Sequence, residues 1–267
     1  MNTVLIGFQK ASLEDLKYCL NSKNHKIVIL NSEKFSKKLL EKPKKKLDLK
    51  DQKLLKNKIL NNKIILGTSE KYFESNIANY FDKKKINYYA YFDSSSNLKK
   101  RLRNFKKKPK NIIINNSLIK KKLSFFIKKA VFKNIDMCFQ RLLKKKYGMI
   151  KRNNNTYLYV TSNLGIKFEK KYVQNILDLS QRFSKKFIIL VHPRENLLNW
   201  KKIFKKNINT LSKNKLYSSK NIKNVFGIST MALINFKFAG FNVRYFQQKF
   251  KKNELIEMYK KYNIKSA

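Results

Sequence analysis

His192 and Pro193 close the apolar run Phe187 to Val191, and Ser229 and Thr230 close the run Val225 to Ile228. A histidine just past a buried strand can donate to a phosphate oxygen or protonate a leaving group. Two hydroxyls at the start of a helix add O–H donors to unpaired backbone N–H groups, a setting that suits an anion. Both signals stand where a strand gives way to a loop, and open α/β sheets bind ligands beyond the carboxyl ends of their parallel strands. Arg194 extends the first signal with a cation, and Gly227 precedes the second, where it allows close backbone approach. Together they point to a phosphate-bearing ligand such as a nucleotide sugar. Each also has a plainer account: Ser-Thr is a common helix cap, and a lone loop histidine often serves its own loop. The other histidine, His25, precedes the run KIVIL and so stands at the amino end of its strand.

The first half repeats the pattern with carboxylates nearby. Gly67, Thr68 and Ser69 follow the run KIIL and lead into a helical segment carrying Glu70 and Glu74. Glu70 or Glu74 could serve as general base on an acceptor hydroxyl if the cleft raises its pKa and brings it within hydrogen-bond reach. Acidic residues also favour helix N-termini for purely electrostatic reasons. Asp93 ends the next strand and is a second candidate base, with Asn97 and Arg101 one and two turns along the following helix. The plainer account is a turn-forming Asp before a Ser-rich cap. No zinc spacing, phosphate-binding Walker loop, dinucleotide glycine fingerprint or nucleophile elbow is present. The chemistry expected therefore uses no metal and no cofactor beyond the nucleotide-sugar substrate.

Short apolar runs alternating with longer amphipathic stretches must position these residues, and that rhythm implies an α/β fold with mainly parallel sheets. Strands are expected at Thr3 to Gly7, Lys26 to Leu30, Lys63 to Gly67, Asn87 to Phe92 and Asn111 to Asn115. A second set follows at Thr156 to Ser162, Lys186 to Val191, Asn224 to Ile228 and Asn242 to Phe246. Helices are expected after Ser12 and Ser69, from Asn134 to Lys146, from Glu169 to Phe183 and from Asn253 to Tyr262. The stretch Glu41 to Asn62 reads as a solvated helix plus a loop. The polar cluster Lys151 to Asn155 marks a boundary, giving two Rossmann-like domains, 1–150 and 151–267, facing a cleft.

Composition bounds the rest. Hydrophobic residues make up 42% and aromatics 13% of 267 residues, which excludes a disordered basic tail. The net charge of +47 invites a nucleic-acid reading, yet 56 of the 63 basic residues are Lys. Phosphate and base recognition favours the planar fork of Arg, so no specific nucleic-acid partner is expected. Such a surface still attracts anionic lipids and polyanions in a salt-dependent way. Tyr88, Tyr89 and Tyr91 could stack on single-stranded bases were they exposed, but they fall in a strand expected to be buried. Cys19 and Cys138 read as separate, inert thiols of a reducing compartment. With no stretch near 18 apolar residues and no signal-peptide pattern, a cytoplasmic location is expected, with peripheral contact at the inner face of an anionic membrane compatible.

In its His192-Pro193 and Ser229-Thr230 pairs, the chain resembles bacterial glycosyltransferases of the GT-B fold, particularly sialyltransferase-like and capsule or surface-polysaccharide proteins. Gly67, Thr68, Ser69, Asp93 and Arg101 resemble the strand ends and Arg-bearing helix of GT-B-like proteins from such loci. The resemblance implies that His192 contacts or protonates the donor phosphate and that Ser229 and Thr230 hold it at the helix start. It also implies a donor-binding C-terminal domain, an acceptor-binding N-terminal domain, and transfer from a nucleotide sugar to a glycan or lipid-linked glycan acceptor. The acidic pair followed by Gly that serves as base in such sialyltransferases has no counterpart here, and Ser94 to Ser96 stand where an aromatic residue is expected. A nucleotide-sugar 2-epimerase shares the architecture and the phosphate loop, and a noncatalytic basic protein is the reading from a different class.

Overall fold

The computed structural model describes residues 2–21, 26–94, 97–147, 155–192, 194–204, 209–211, 222–247 and 254–267. His25, Pro193 and the expected boundary at 150/151 lie outside them. The chain divides into two compact units, Met1–Leu142 and Leu143–Ala267.

The first unit holds six parallel strands in the order β2-β1-β3-β4-β5-β6. They are β1 Thr3–Gly7, β2 Ile27–Asn31, β3 Lys63–Gly67, β4 Tyr89–Phe92, β5 Asn111–Ile114 and β6 Val131–Asn134. Successive side chains of a strand point to opposite faces, and this sheet is apolar on both. Val4, Ile6, Leu66, Phe92 and Ile114 pack with Phe73, Ile77 and Phe81 on one side. Leu5, Ile65, Tyr91 and Ile113 pack with Leu13 and Leu16 on the other. Burial on both faces explains why the strands read as continuous apolar runs rather than alternating ones.

The second unit repeats the plan in the order β12-β11-β10-β7-β8-β9, again parallel throughout. Its strands are β7 Thr156–Val160, β8 Lys186–Leu190, β9 Asn209–Leu211, β10 Ile222–Gly227, β11 Asn242–Tyr245 and β12 Lys265–Ser266. Tyr157, Tyr159, Ile189 and Phe226 pack on Val173, Ile176 and Trp200. At the end of β10, a Cβ on Gly227 would stand 2.8 Å from the Val160 carbonyl oxygen. The close approach that this glycine permits is thus to the neighbouring strand β7.

Several expectations shift in detail. β6, β9 and β12 were not anticipated: they are short, they carry no long apolar run, and β6 is mostly exposed. Ser12 lies inside the helix Lys10–Leu20 rather than before it, and the helix after β3 begins at Phe73, four residues past Ser69. The stretch Glu41 to Asn62 is less solvated than it reads. Asp48 caps the helix Leu49–Ile59, whose Asp51 and Leu55 are buried. Cys19 and Cys138 are neighbours, the Cys138 thiol lying 3.5 Å from the Cys19 carbonyl oxygen. Burial pushes the Cys19 thiol far above its usual range. Tyr88 and Tyr91 are buried, and Lys63 covers the Tyr89 ring at 4.6 Å, which removes the stacking platform that single-strand binding needs.

Candidate functional site

In the second unit the chain runs from β7 outward to β8 and β9, then returns to the opposite side of β7 with β10 and β11. The sheet therefore reverses direction between β7 and β10, and ligands of open α/β sheets favour the crevice at such a switch point. The loops after β7, β8 and β10 meet there. Thr161, just past β7, is fully buried; its hydroxyl accepts the His192 N–H at 2.7 Å and donates to the Glu195 carboxylate. Its neighbour Ser162 accepts the Ser229 N–H at 3.0 Å. Two signals 37 residues apart in sequence are thus joined through residues 161 and 162, which sequence reasoning did not single out.

His192 is half-buried, and its Nδ1 accepts the Arg194 N–H at 3.2 Å. That bond places the ring hydrogen on Nε2. Burial lowers the His192 pKa, nearby Glu195 pulls it back up, and Arg194 adds to the lowering. Near neutral pH the ring is a neutral Nε2–H donor. The Arg194 side chain is exposed beside it.

Thr230 is committed to the helix Met231–Phe238 that it caps, its hydroxyl accepting the Ala232 N–H at 3.3 Å. Its backbone is clasped by Tyr259, whose hydroxyl accepts the Thr230 N–H at 2.8 Å and donates to the Thr230 carbonyl at 2.9 Å. Ser229 is half-buried.

Beneath the loop after β7 lies a carboxylate that the sequence hid inside an amphipathic helix. Glu169, fully buried in the helix Ile166–Arg182, accepts the Ser162 N–H at 2.9 Å, the Leu164 N–H at 3.3 Å and the Tyr159 hydroxyl at 3.0 Å. Burial pushes its pKa up from 4.5 to about 7; the two N–H donors and Tyr159 pull downward, and Glu195 adds to the rise. The folded state binds this proton more tightly than the unfolded chain does. The stabilisation from the protonated carboxyl is therefore complete below about pH 4.5 and is lost as pH rises through about 7. Glu169→Gln fixes the neutral form, so the melting temperature of the variant relative to the wild type is expected to climb between pH 5 and pH 8. A difference that stays flat across that range, measured by thermal melts, would show that Glu169 is not the titrating group.

The first unit gathers a second polar cluster at the ends of β1, β3, β4 and β5. Arg101, in the helix Leu98–Arg103 and only 5% exposed, is its hub. The guanidinium pairs with Asp93 at 2.6 Å, donates to the Thr68 hydroxyl at 2.9 Å and to the Thr68 carbonyl, and reaches the Ser94 carbonyl and hydroxyl at 3.1 Å. Asp93, 25% exposed, also accepts the Ser12 hydroxyl at 2.7 Å. Thr68 donates to the Tyr91 carbonyl at 2.8 Å.

Glu74 is buried in the first turn of the helix Phe73–Lys83 and accepts the Phe8 N–H at 2.8 Å and the Ser69 hydroxyl at 2.6 Å. It braces the loop after β1 against the loop after β3. Burial raises its pKa, opposed by those bonds and by Arg101. Gly67 lies beside Gly7, to whose Cα a Cβ on Gly67 would come within 3.5 Å. Glu70 is exposed and accepts from the Asn97 side chain. Gly67, Thr68, Ser69, Glu74, Asp93 and Arg101 thus come together in one unit, and His192, Gly227, Ser229 and Thr230 in the other. Among the described residues, no group of three or more His, Cys, Asp or Glu side chains is placed to hold a metal ion.

No family model matches the chain, and no curated protein matches it significantly. Solved structures do. The UDP-GlcNAc 2-epimerase from Methanocaldococcus jannaschii superposes with a TM-score of 0.62 at 14% identity, covering 96% of this chain and 87% of that one. The UDP-GlcNAc 2-epimerase from Neisseria meningitidis, bound to UDP-GlcNAc, gives 0.60 at 11% identity over 99% and 87%. The S. aureus MnaA structure with UDP gives 0.55 at 11% identity over 96% and 82%. At these identities the likeness establishes the fold: two parallel α/β units of the GT-B type.

Proposed function

We propose that the chain is an enzyme acting on nucleotide sugars, with the donor phosphates held by the second unit. The observation that carries this reading is the hydrogen-bonded joining of the His192 loop to the Ser229 loop through Thr161 and Ser162, at the switch point of the sheet. The fold likeness supports it, since those structures include complexes with UDP-GlcNAc and UDP. In this reading the Nε2–H of His192 donates to a phosphate oxygen. Ser229 and the start of the helix Met231–Phe238 supply further donors, while Thr230 and Tyr259 hold that start in place.

The reaction proposed is glycosyl transfer to a surface-glycan acceptor bound by the first unit. An acceptor oxygen bonds to the anomeric carbon as the bond from that carbon to the phosphate oxygen breaks. The electron pair leaves with the nucleoside diphosphate, whose growing charge His192 stabilises. Asp93 has solvent access and Glu74 has almost none, so Asp93 is assigned the acceptor proton, with Arg101 and Ser12 as positioning residues. Specialisation as a sialyltransferase-like or capsule enzyme is part of the same proposal.

The 2-epimerase fold of the M. jannaschii and N. meningitidis proteins favours a second reading, inversion at the sugar's second carbon without an acceptor. Incubation with UDP-sugars separates the two. Sugar transferred only when a glycan acceptor is present establishes the transferase, and an isomerised nucleotide sugar from donor alone establishes the epimerase. Neither product across a panel of nucleotide sugars, together with no saturable nucleotide binding, would sink both.

A further inference from the structure

The segment from Ser94 to Ile135 holds 14 Lys and Arg residues and no Asp or Glu. It builds the helix Leu98–Arg103, β5, the helix Ser117–Ser124 and the edge strand β6. A lysine-rich composition accounts for cations anywhere on this protein, but it does not account for what lies among these.

The run Leu123-Ser124-Phe125-Phe126-Ile127 is split. Leu123 and Ile127 are buried in the core, and the N–H groups of Phe126 and Ile127 both donate to the Leu123 carbonyl at 2.9 Å. The turn so fixed leaves Phe125 77% and Phe126 46% exposed, and Val131 at the start of β6 is 68% exposed. Phe126 forms one wall of a groove of about 620 Å³ whose other walls include Lys99, Lys100, Arg103 and Lys108. Lys120 already leans over the Phe132 ring, 6.0 Å from its centre.

We infer that this face is a docking surface for an anionic lipid bilayer. Adjacent exposed phenyl rings held outward by a buried Leu and Ile suit the boundary between headgroups and acyl chains, where apolar side chains leave water. The ring of cations supplies the charge complementarity: basic residues at the rim attract anionic headgroups over roughly a Debye length. A second copy of the same face would bring like charges together. Lysines outnumber arginines around the patch, and a lysine head reads a charged plane as well as a fork does, whereas base edges favour the fork. No helix among the described residues is long and apolar enough to cross a membrane. The inference stands independently of the reaction proposed above.

Vesicle sedimentation of the full chain at about 0.15 M salt tests it, with phosphatidylcholine vesicles against vesicles containing phosphatidylglycerol. The wild type is expected to partition onto the anionic vesicles. Phe125→Ser combined with Phe126→Ser should weaken that partition on the order of tenfold or more at unchanged net charge. Phe183→Ser, which changes an exposed ring of the second unit, should leave it as it was. A tryptophan placed by Phe125→Trp should shift its emission to the blue on binding. Equal partition of the double variant and wild type, or an unshifted tryptophan on saturating vesicles, overturns the inference. So does binding to single-stranded RNA that depends on both rings while vesicles are ignored.

Discussion

Replacing His192 by alanine is expected to lower turnover of a nucleotide sugar by on the order of 100-fold or more, with the fold retained. Among the described residues, the side chain of His192 accepts the Arg194 N–H at 3.2 Å, and its backbone N–H keeps Thr161 whatever the side chain. Stability should therefore change by about 1 kcal/mol or less, in the range of one exposed hydrogen bond. The test is calorimetric titration and product analysis on both proteins, at salt high enough to suppress unspecific polyanion binding. A variant that binds and turns over like the wild type would remove His192 from the proposed phosphate site. His192→Gln, which retains one N–H donor, should recover part of the binding and little of any dependence on proton transfer.

The largest effect on stability is expected at Arg101. Its guanidinium holds Asp93, Thr68 and Ser94 at once, with the Arg 5% and the Asp 25% exposed. Arg101→Met leaves a partly buried carboxylate without its cation and should cost about 3–5 kcal/mol, the usual penalty for removing one partner of a buried pair. Arg101→Lys should recover little, because one ammonium cannot span three partners arranged for a planar fork. Adding Asp93→Asn to the methionine variant should restore a good part of the loss by removing the unpaired charge. Denaturant unfolding of the wild type, these three variants and Asp93→Asn alone measures this directly. Additive losses from the two substitutions would mean that the pair contributes no coupling.

These two residues also show how far the sequence could be read. The strands were legible because burial on both faces turns each into a plain apolar run. His192 and Ser229 were legible because such runs stop abruptly at polar residues. Thr161 and Ser162 end a run in the same way, but nothing in a lone Thr-Ser marks it as the link between two other loops. Glu169 was invisible for a physical reason. On an amphipathic helix a glutamate normally faces water, and only the fold of the loop after β7 turns this one inward onto two N–H groups and a tyrosine. Glu74 and Asp93 were found as carboxylates. Their engagement with Phe8, Ser69, Ser12 and Arg101 depends on contacts across up to 81 residues of chain, which no local pattern encodes. The short edge strands β6, β9 and β12 escaped because pairing with one neighbour asks little of their composition.

Tyr259 gives the second unit a heritable handle on the loop after β10. One hydroxyl grips both the N–H and the carbonyl of Thr230 from a helix 29 residues further along the chain. A mutation at 259 can therefore loosen or retune the start of the helix Met231–Phe238 without altering any residue of the loop itself. Because the clasp holds backbone atoms, its strength would be set at position 259 and would not depend on which side chain stands at 230.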